Sequence, residues 1–390
     1  MKAAKRSWVR LGLALGWAIG GTPARAGDVE SFNSRLFDLQ YFARPAERLA
    51  APTAGGFDAA RNPAALGAAT GAVLRTYGTL NVLEGATYGL EKLIPPGPGR
   101  PEPEKIYETP TARLAGFGAE QAVALGSFPG AMAVAVDGLD ADWSDNEASG
   151  IEQSGTRAGL AYGVPLSGAL AAGAEATVFS DVWQWTVTWP HFDDGAALPR
   201  NVAYALRSES DSWRARLGLQ GRIGAAFRYG LTGEWGAGRA DNEWNGTDTG
   251  GGDHLRRRGA RGDVEFDVGP RTTLAAALEW RATDLEFGRH AAAIDPAGGA
   301  TAEWDAEVAR PMIGIRFAPT AAWRFHGGYR HSFFEVGDLC GKTADNEYGT
   351  ATCGAAFAPP GRFGASADVE YSDVAPDGEW AGALAFQARF

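Results

Sequence analysis

Side chains that could carry out catalysis are few in this sequence and do not form a catalytic set. The chain contains no His-x-x-x-His spacing, no Gly-x-Ser-x-Gly elbow and no phosphate-binding loop. His326 and Ser332 would share one face of a strand, but six residues separate them by about 20 Å. We therefore expect no enzyme, no cofactor and no metal. The five histidines are scattered along the chain, as His191, His254, His290, His326 and His331.

Each of two charged clusters could be either a ligand site or a solvated surface. Asp140, Asp142 and Asp145 could hold Ca²⁺, but the Gly and the distal Glu of a calcium loop are missing, which favours a solvated acidic loop. The basic run 256–258 could meet the phosphates of lipopolysaccharide or form a solvated rim. The sequence leaves both readings of the basic run open.

The two cysteines flank one polar segment, residues 341–352. Two cysteines that bracket a surface loop in an oxidising compartment predict a disulfide, here between Cys340 and Cys353. A metal site is disfavoured because two thiols without a nearby histidine are an incomplete ligand set.

Charged and apolar residues alternate along many short segments. In one of them Trp213, Ala215 and Leu217 face one way while Arg214 and Arg216 face the other. A lipid-facing Arg or Lys costs about 2–4 kcal/mol at the middle of a bilayer, so the charged face must line a lumen. The lumen-lining candidates for binding a ligand carboxylate are Arg214, Arg216, Arg228, Arg324, His326 and Arg330.

The lumen arginines have two possible roles. They could form charge-assisted hydrogen bonds with a ligand carboxylate. Alternatively, they could pair with acidic residues of the wall as structural ladders, which we favour for most of them. The acidic partners expected for such ladders are Asp263, Glu265, Glu279, Asp368 and Glu370.

The N-terminus has the pattern of a secretory signal peptide over residues 1–26. A basic start precedes a short apolar core at residues 11–21, and Ala24-Arg25-Ala26 fits a cleavage site. An N-terminal membrane anchor is the alternative, but the apolar run is shorter than the roughly 20 residues a spanning helix needs. Removal of residues 1–26 takes away five basic residues and no acid, so the net charge moves from -11 to about -16. An acidic protein of this kind is not expected to bind nucleic acid.

The C-terminal residues 380–390 alternate with period two and end on Phe390. A strand that is apolar on one side and small or polar on the other suits a membrane β-barrel wall. A terminal Phe in this phase resembles the closing strand of bacterial outer-membrane barrels, where it belongs to the assembly signal. The resemblance implies that Phe390 closes the barrel and that the barrel-assembly machinery is a partner.

Short turns and long polar loops alternate from about residue 116 onward. Transmembrane barrels show this asymmetry, with the short turns in the periplasm. The rhythm predicts an all-β, antiparallel transmembrane barrel of about fourteen strands over residues 71–390, with a periplasmic C-terminus. Short turns are expected near Pro129, Pro165, Gly221, Pro270, Pro319 and Pro360, and long loops near 138–154, 190–203, 237–255, 287–302 and 337–350.

Residues 27–70 precede the first predicted strand and end near Asn62-Pro63-Ala64. This arrangement resembles the long-chain fatty-acid and aromatic-hydrocarbon transporter family of outer-membrane proteins. The resemblance implies that residues 27–70 fold into the lumen as a hatch and that hydrophobic small molecules cross passively. The hatch residues it implies are Phe32, Phe37, Tyr41, Phe42, Asn62, Pro63 and Ala64. Outer-membrane lipid and lipopolysaccharide are expected partners of such a barrel.

Other readings of the chain stay open. Residues 27–70 could be a disordered periplasmic tail, and the barrel could be a general diffusion porin or a non-transporting surface protein. A soluble sandwich with solvated outer faces is also possible, but it explains neither the signal peptide nor the terminal Phe. The sequence differs from that family in two respects: the chain is somewhat short, and the predicted lumen is charged rather than apolar.

Overall fold

A computed structural model describes most of the predicted barrel and a short segment that precedes it. The described residues are 61–69, 71–83, 92–94, 104–106, 111–126, 128–145, 149–191, 200–244, 247–248, 253–287, 302–337, 343–359, 363–373 and 379–390. The predicted signal peptide, the hatch residues Phe32, Phe37, Tyr41 and Phe42, and Cys340 lie outside these ranges. No helix within them is long and apolar enough to cross a membrane.

Seventeen strands and one short 3₁₀ helix make up the described secondary structure. The 3₁₀ helix covers Pro63–Ala68. Strands β2 (Lys92–Ile94) and β3 (Glu104–Ile106) pair only with each other, and β10 (Thr247–Asp248) pairs antiparallel with the end of β9 (Phe227–Trp244). The other fourteen strands are β1 (Ala72–Leu83), β4 (Thr111–Ala124), β5 (Ala131–Asp145), β6 (Ser149–Ser167), β7 (Leu170–His191), β8 (Arg200–Ile223), β9 (Phe227–Trp244), β11 (Asp253–Asp267), β12 (Thr272–Phe287), β13 (Ala302–Phe317), β14 (Trp323–Gly337), β15 (Thr343–Phe357), β16 (Phe363–Ser372) and β17 (Glu379–Arg389).

These fourteen strands form one closed antiparallel barrel, as the sequence predicted. Each strand pairs with its neighbours along the chain, and β1 pairs with β17 to close the ring. At the seam the N–H of Phe390 donates to the carbonyl of Ala72 at 2.9 Å, and the N–H of Ala72 donates back to the carbonyl of Phe390 at 3.3 Å. Closure leaves no free sheet edge, which is the condition for a sheet to exist in lipid.

The outward face of the barrel carries an apolar band next to the short turns. Leu160, Val178, Leu217, Leu231 and Ile313 point outward, and each is about half exposed. Further along the same strands the outward positions become charged and exposed, as at Asp140, Glu209, Arg239 and Arg258. Exposed aromatic side chains mark both edges of the band, with Trp213 and Trp235 at the edge near the charged positions and Phe128, Phe363 and Phe390 at the edge near the turns. An apolar band between aromatic girdles is typical of a barrel embedded in a bilayer.

The strands are longer than the sequence pattern predicted. Residues 138–145 and 149–154 were expected to be loop, but they continue β5 and β6 as a paired ladder. The turn expected at Gly221 is also displaced, because β8 runs to Ile223 and the turn follows at Gly224, where φ is +65°. Polar composition misled both predictions, since antiparallel pairing continues past the bilayer wherever neighbouring strands can still bond to each other.

The predicted disulfide is not supported, and the strand register gives the reason. Cys353 is a free, exposed thiol on β15, opposite Gly327 of β14. The segment expected to be a loop is strand from Thr343, so ten strand residues, about 33 Å, separate Thr343 from Cys353. Only three residues of chain separate Cys340 from Thr343, at most about 11 Å. A disulfide needs Cα atoms within about 7 Å, which this register does not allow.

Candidate functional site

The segment that enters the first strand is docked inside the barrel and begins at Asn62. The side chain of Asn62 is fully buried and caps the 3₁₀ helix, because its Oδ1 accepts the N–H of Ala64 at 3.0 Å. Pro63 follows at the first helical position, where an N–H is not needed. The amide Nδ2 of Asn62 donates to the wall, to the carbonyl of Leu219 on β8 at 3.0 Å and that of Leu231 on β9 at 3.5 Å. One side chain therefore both starts the helix and fastens it to the barrel.

Three glycines at inward positions make room for this segment. They lie on neighbouring strands as Gly163 of β6, Gly173 of β7 and Gly218 of β8. A Cβ atom on Gly163 would stand 2.5 Å from the carbonyl oxygen of Pro63, and Cβ atoms on the other two would overlap Pro63 and Asn62. Any side chain at these positions would therefore displace the segment. We call these three residues the glycine notch.

The far side of the segment packs on small apolar side chains. Leu66 is buried against Ala131 and Ala133 of β5 and Ala161 of β6. Gly67 approaches the backbone of Val164 so closely that a Cβ atom there would lie 2.9 Å from its carbonyl carbon. The Thr232 hydroxyl donates to the Arg61 carbonyl at 3.4 Å, which adds a contact to β9. Residues 61–69 thus lie against a continuous arc of small residues from β5 to β8.

The inner wall beyond this arc is filled by paired charges. Glu175 of β7 binds Arg216 and, at 3.3 Å, Arg214 of β8, and Arg214 reaches Glu234 of β9 at 3.9 Å. Glu234 is 3.2 Å from Arg281 of β12, so the chain of charges continues around the barrel. All of these side chains are largely buried. Buried charges are tolerated when each is paired and hydrogen-bonded, as these are.

Glu279 of β12 is the acid at which this chain of charges converges. It accepts hydrogen bonds from Arg310 of β13 at 2.9 Å and from Arg261 of β11 at 3.2 Å, and it lies 3.5 Å from Arg281. Arg261 also binds Asp263 at 2.7 Å. We call the wall that runs from Glu175 through Glu234 and Glu279 to Arg310 the ionic arc.

Two further clusters of paired charges lie on the inner face. Closer to the short turns, Arg228 binds Glu265 at 3.0 Å and Asp267 at 2.7 Å, and Arg316 lies 3.5 Å from Glu265. On the strands that follow β13, His326 is 2.5 Å from Asp368 and Arg330 is 3.1 Å from Glu370.

Most of the sequence-predicted lumen residues therefore have acidic wall partners. Arg214, Arg216 and Arg228 pair with side chains of neighbouring strands, and His326 and Arg330 of β14 pair with side chains of β16, one strand further on. Pairing of this kind is what structural ladders require. Arg324 differs, because it is exposed and makes no ion pair in the described part of the chain.

A narrow polar cavity separates residue 61 from the ionic arc. It holds about 40 Å³ and is lined by Arg61, Arg216, Thr232, Glu234, Arg261 and Glu279, among others. A drug-sized ligand needs about 300 Å³ or more, whereas one water molecule fits in about 15 Å³. This cavity is therefore large enough for water and too small for a drug-sized ligand.

Sequence reasoning brought out part of this site and missed the rest. Asn62, Pro63 and Ala64 are all buried in the lumen, next to the wall. The glycine notch went unnoticed, although an isolated glycine within an apolar strand is a signal of close backbone approach. Glu175, Glu234, Arg261 and Arg310 were also missed as network members, and their position on the charged face of alternating strands could have identified them.

Among solved structures the fold is similar to outer-membrane channels. The Ralstonia pickettii toluene transporter TbuX matches with a TM-score of 0.51 at 11% identity, over 84% of this chain and 92% of that one. A Pseudomonas aeruginosa FadL homologue matches with 0.55 at 14%, over 89% and 98%. The Pseudomonas putida toluene transporter TodX matches with 0.50 at 11%, over 85% and 94%. No protein-family model matches the sequence, and no curated protein matches it significantly.

Identities of 11–14% establish the fold and leave the cargo open. The resemblance drawn from Asn62-Pro63-Ala64 to the fatty-acid and hydrocarbon transporter family is thereby confirmed at the level of the fold.

Proposed function

We propose that this chain is a bacterial outer-membrane channel for passive transport of hydrophobic small molecules such as fatty acids or hydrocarbons. The observation that carries the proposal is the docking of residues 61–69 inside a fourteen-stranded barrel, on a glycine notch that no side chain could occupy. A barrel of this size leaves a lumen that its own side chains do not fill. A segment fastened across part of that lumen limits free diffusion, which suits a channel that selects its cargo.

The proposal assigns each part of the chain a role. Residues 1–26 are the signal peptide, 27–70 the hatch and 71–390 the barrel. The short turns and the C-terminus lie in the periplasm, and Phe390 serves recognition by the barrel-assembly machinery. Outer-membrane lipid contacts the apolar band, and the outward-facing arginines Arg256 and Arg258 lie beyond it, at the level where lipopolysaccharide phosphates are expected. The function is transport rather than catalysis.

Conductance and uptake together test the proposal. The full-length barrel in a planar bilayer should show little steady current, and liposomes that contain it should take up toluene or dodecanoate faster than empty liposomes. Deletion of residues 27–70 should leave the barrel assembled, because strand pairing from Ala72 onward closes it without the segment. The deletion should also open a large, steady conductance.

A general diffusion porin is the second candidate, and the charged inner wall is the observation that favours it. A large steady current through the full-length barrel, unchanged by the deletion, would establish the porin and remove the hatch. A barrel that passes neither ions nor hydrophobic molecules in either form would be a structural surface protein.

A further inference from the structure

Three arginines lie at the end of the lumen that is next to the short turns. They differ in exposure and ion pairing from the inward-facing arginines farther from these turns. They are Arg222 of β8, Arg324 of β14 and Arg389 of β17, and we call them the mouth arginines. All three are exposed, and none makes an ion pair in the part of the chain that the structure describes. Further up the lumen, by contrast, Arg214, Arg261, Arg310 and Arg330 each bind a carboxylate.

Strand alternation places the mouth arginines on the inner face. Arg222 lies four residues after Gly218, which faces Asn62, and is directly opposite Arg228. Arg324 lies two residues before His326, whose ring binds the inward Asp368. Arg389 lies four residues after Ala385, which packs on Tyr77 inside the barrel. Side chains two or four residues apart on a strand share one face, so all three point into the mouth of the lumen.

The local charge at the mouth is opposite to that of the whole protein. Besides the mouth arginines, Arg228 and Arg316 lie at this level, and the acids beside them are Glu265 and Asp267. Those two carboxylates are already bound by Arg228, Arg316 and the Thr273 hydroxyl. Asp368 also lies at this level, where it is bound by His326 opposite Arg316. Among the side chains that the structure describes here, five arginines thus face three engaged acids, whereas the formal net charge of the full chain is -11.

We propose that the mouth arginines form an anion-attracting collar, which speeds the passage of cargo that carries an ionised carboxylate over neutral cargo of the same chain length. This inference rests on the proposed transport function and specifies the substrate class that the mouth favours. Fixed charges of one sign in an opening between low-dielectric walls raise the local concentration of the opposite ion.

The spacing of the collar determines how it acts. Adjacent strands lie about 4.8 Å apart, so Arg324 on β14 and Arg389 on β17 are separated by roughly 14 Å. A single carboxylate therefore meets one guanidinium at a time, and the collar works through its summed field rather than through one tight site. Such a field is screened by salt, since the Debye length is about 10 Å at 0.1 M and 3 Å at 1 M.

The test compares dodecanoate with dodecanol, which have the same chain and differ in charge. Full-length protein in liposomes would be measured as wild type and as R222Q/R324Q/R389Q. We expect the variant to take up dodecanoate roughly tenfold more slowly and dodecanol at the wild-type rate, a size that follows from removing three partly exposed charges. Salt at 1 M should slow wild-type uptake of dodecanoate towards the rate of the variant.

Two control variants separate charge from structure. R113Q/R207Q/R239Q removes three exposed arginines that face away from the lumen, and both uptake rates should stay unchanged. R222K/R324K/R389K keeps the charges and should behave as the wild type. Equal slowing of both cargoes in the glutamine variant, or no slowing of either, would overturn the collar.

A binding measurement keeps the collar testable if wild-type protein moves neither cargo, in which case the transport function itself fails. Spin-labelled dodecanoate would be titrated onto full-length protein in neutral detergent at low and high salt. Salt-sensitive binding that the glutamine variant loses would support the collar, and identical binding by both proteins would overturn it.

Discussion

The inner wall has two kinds of surface. One is the glycine notch on β6, β7 and β8, and the other is the ionic arc, whose arginine and glutamate side chains run from β7 to β13. In the glycine notch the wall has no side chains, and the backbone of Pro63 lies directly on the strands. In the ionic arc the wall fills its own space, since Arg261, Glu279 and Arg310 interlock across three strands. The first region depends on a partner from elsewhere in the chain, and the second is complete in itself.

This difference indicates which region can be changed while the barrel stays folded. Release of residues 61–69 from the glycine notch would expose a surface of small residues and a few backbone groups, which water can solvate. Removal of one member of the ionic arc leaves buried charges without compensation, which costs about 3–5 kcal/mol. We therefore expect the ionic arc to stabilise the barrel wall and the glycine notch to bind a segment that can be released.

The largest effect is expected from Glu279→Gln. The substitution keeps the shape of the side chain but removes the charge shared by Arg261, Arg281 and Arg310. Arg261 keeps Asp263 and Arg281 keeps Glu234, but the three buried guanidinium groups lose the carboxylate that they share. The free energy of unfolding should fall by about 3–5 kcal/mol. Urea unfolding in lipid vesicles, followed by tryptophan fluorescence, measures the change.

Glu209→Gln is the matched control for this variant. Glu209 pairs with Arg207 at 2.5 Å, but both side chains are about half exposed, so the loss should stay within about 1 kcal/mol. Equal losses for the two variants would mean that the ionic arc carries no special share of barrel stability.

An intermediate effect is expected from Gly173→Val in the glycine notch. A side chain there overlaps Pro63, so residues 61–69 must move, while the outward face and the strand pairing are untouched. The cost to folding should be about 1–3 kcal/mol, as for overpacking elsewhere. The hatch should be displaced, and single-channel recording should then show a steady current.

Gly233→Val provides the comparison for the glycine notch, because nothing lies within 4 Å of a Cβ atom at that position of β9. Its conductance should match the wild type. A closed channel in Gly173→Val would contradict the assignment of the notch as the hatch seat.

The smallest effect is expected from Asn62→Asp and Asn62→Ala compared with each other. Aspartate keeps the oxygen that caps Ala64 but loses the donor to the carbonyls of Leu219 and Leu231, and alanine loses both. Each neutral hydrogen bond contributes about 1 kcal/mol net, so hydrogen exchange at Leu66 should speed up by roughly fivefold or more in Asn62→Ala. It should speed up further in Asn62→Asp, because the buried carboxylate then faces the two carbonyl oxygens. Exchange in β11 should stay unchanged in both, and a uniform increase would instead indicate global loosening.

Much of the architecture was readable from the sequence because a membrane wall imposes a strict pattern. Charged residues at every second position, as at Arg214 and Arg216, are compatible with lipid only if they face a lumen, and this fixed the inner face of each strand. The count of about fourteen strands followed from the rhythm of short turns and long loops, and the role of Phe390 came from the resemblance to outer-membrane barrels. The pattern was not informative outside the bilayer, where strand residues can be polar on both faces. Residues 343–352 were therefore predicted to be a loop, and Cys353 was predicted to form a disulfide.

The pairing of particular side chains was decided only by the tertiary structure. Alternation states that Arg214 and Glu234 both face inward, but strand stagger and barrel curvature determine that they meet at 3.9 Å. The glycine notch is likewise a property of three strands together, since Gly163, Gly173 and Gly218 are far apart in sequence and become one surface only in register. Periodicity along a single strand determines which face a residue occupies, whereas its neighbours on that face depend on hydrogen bonding between strands.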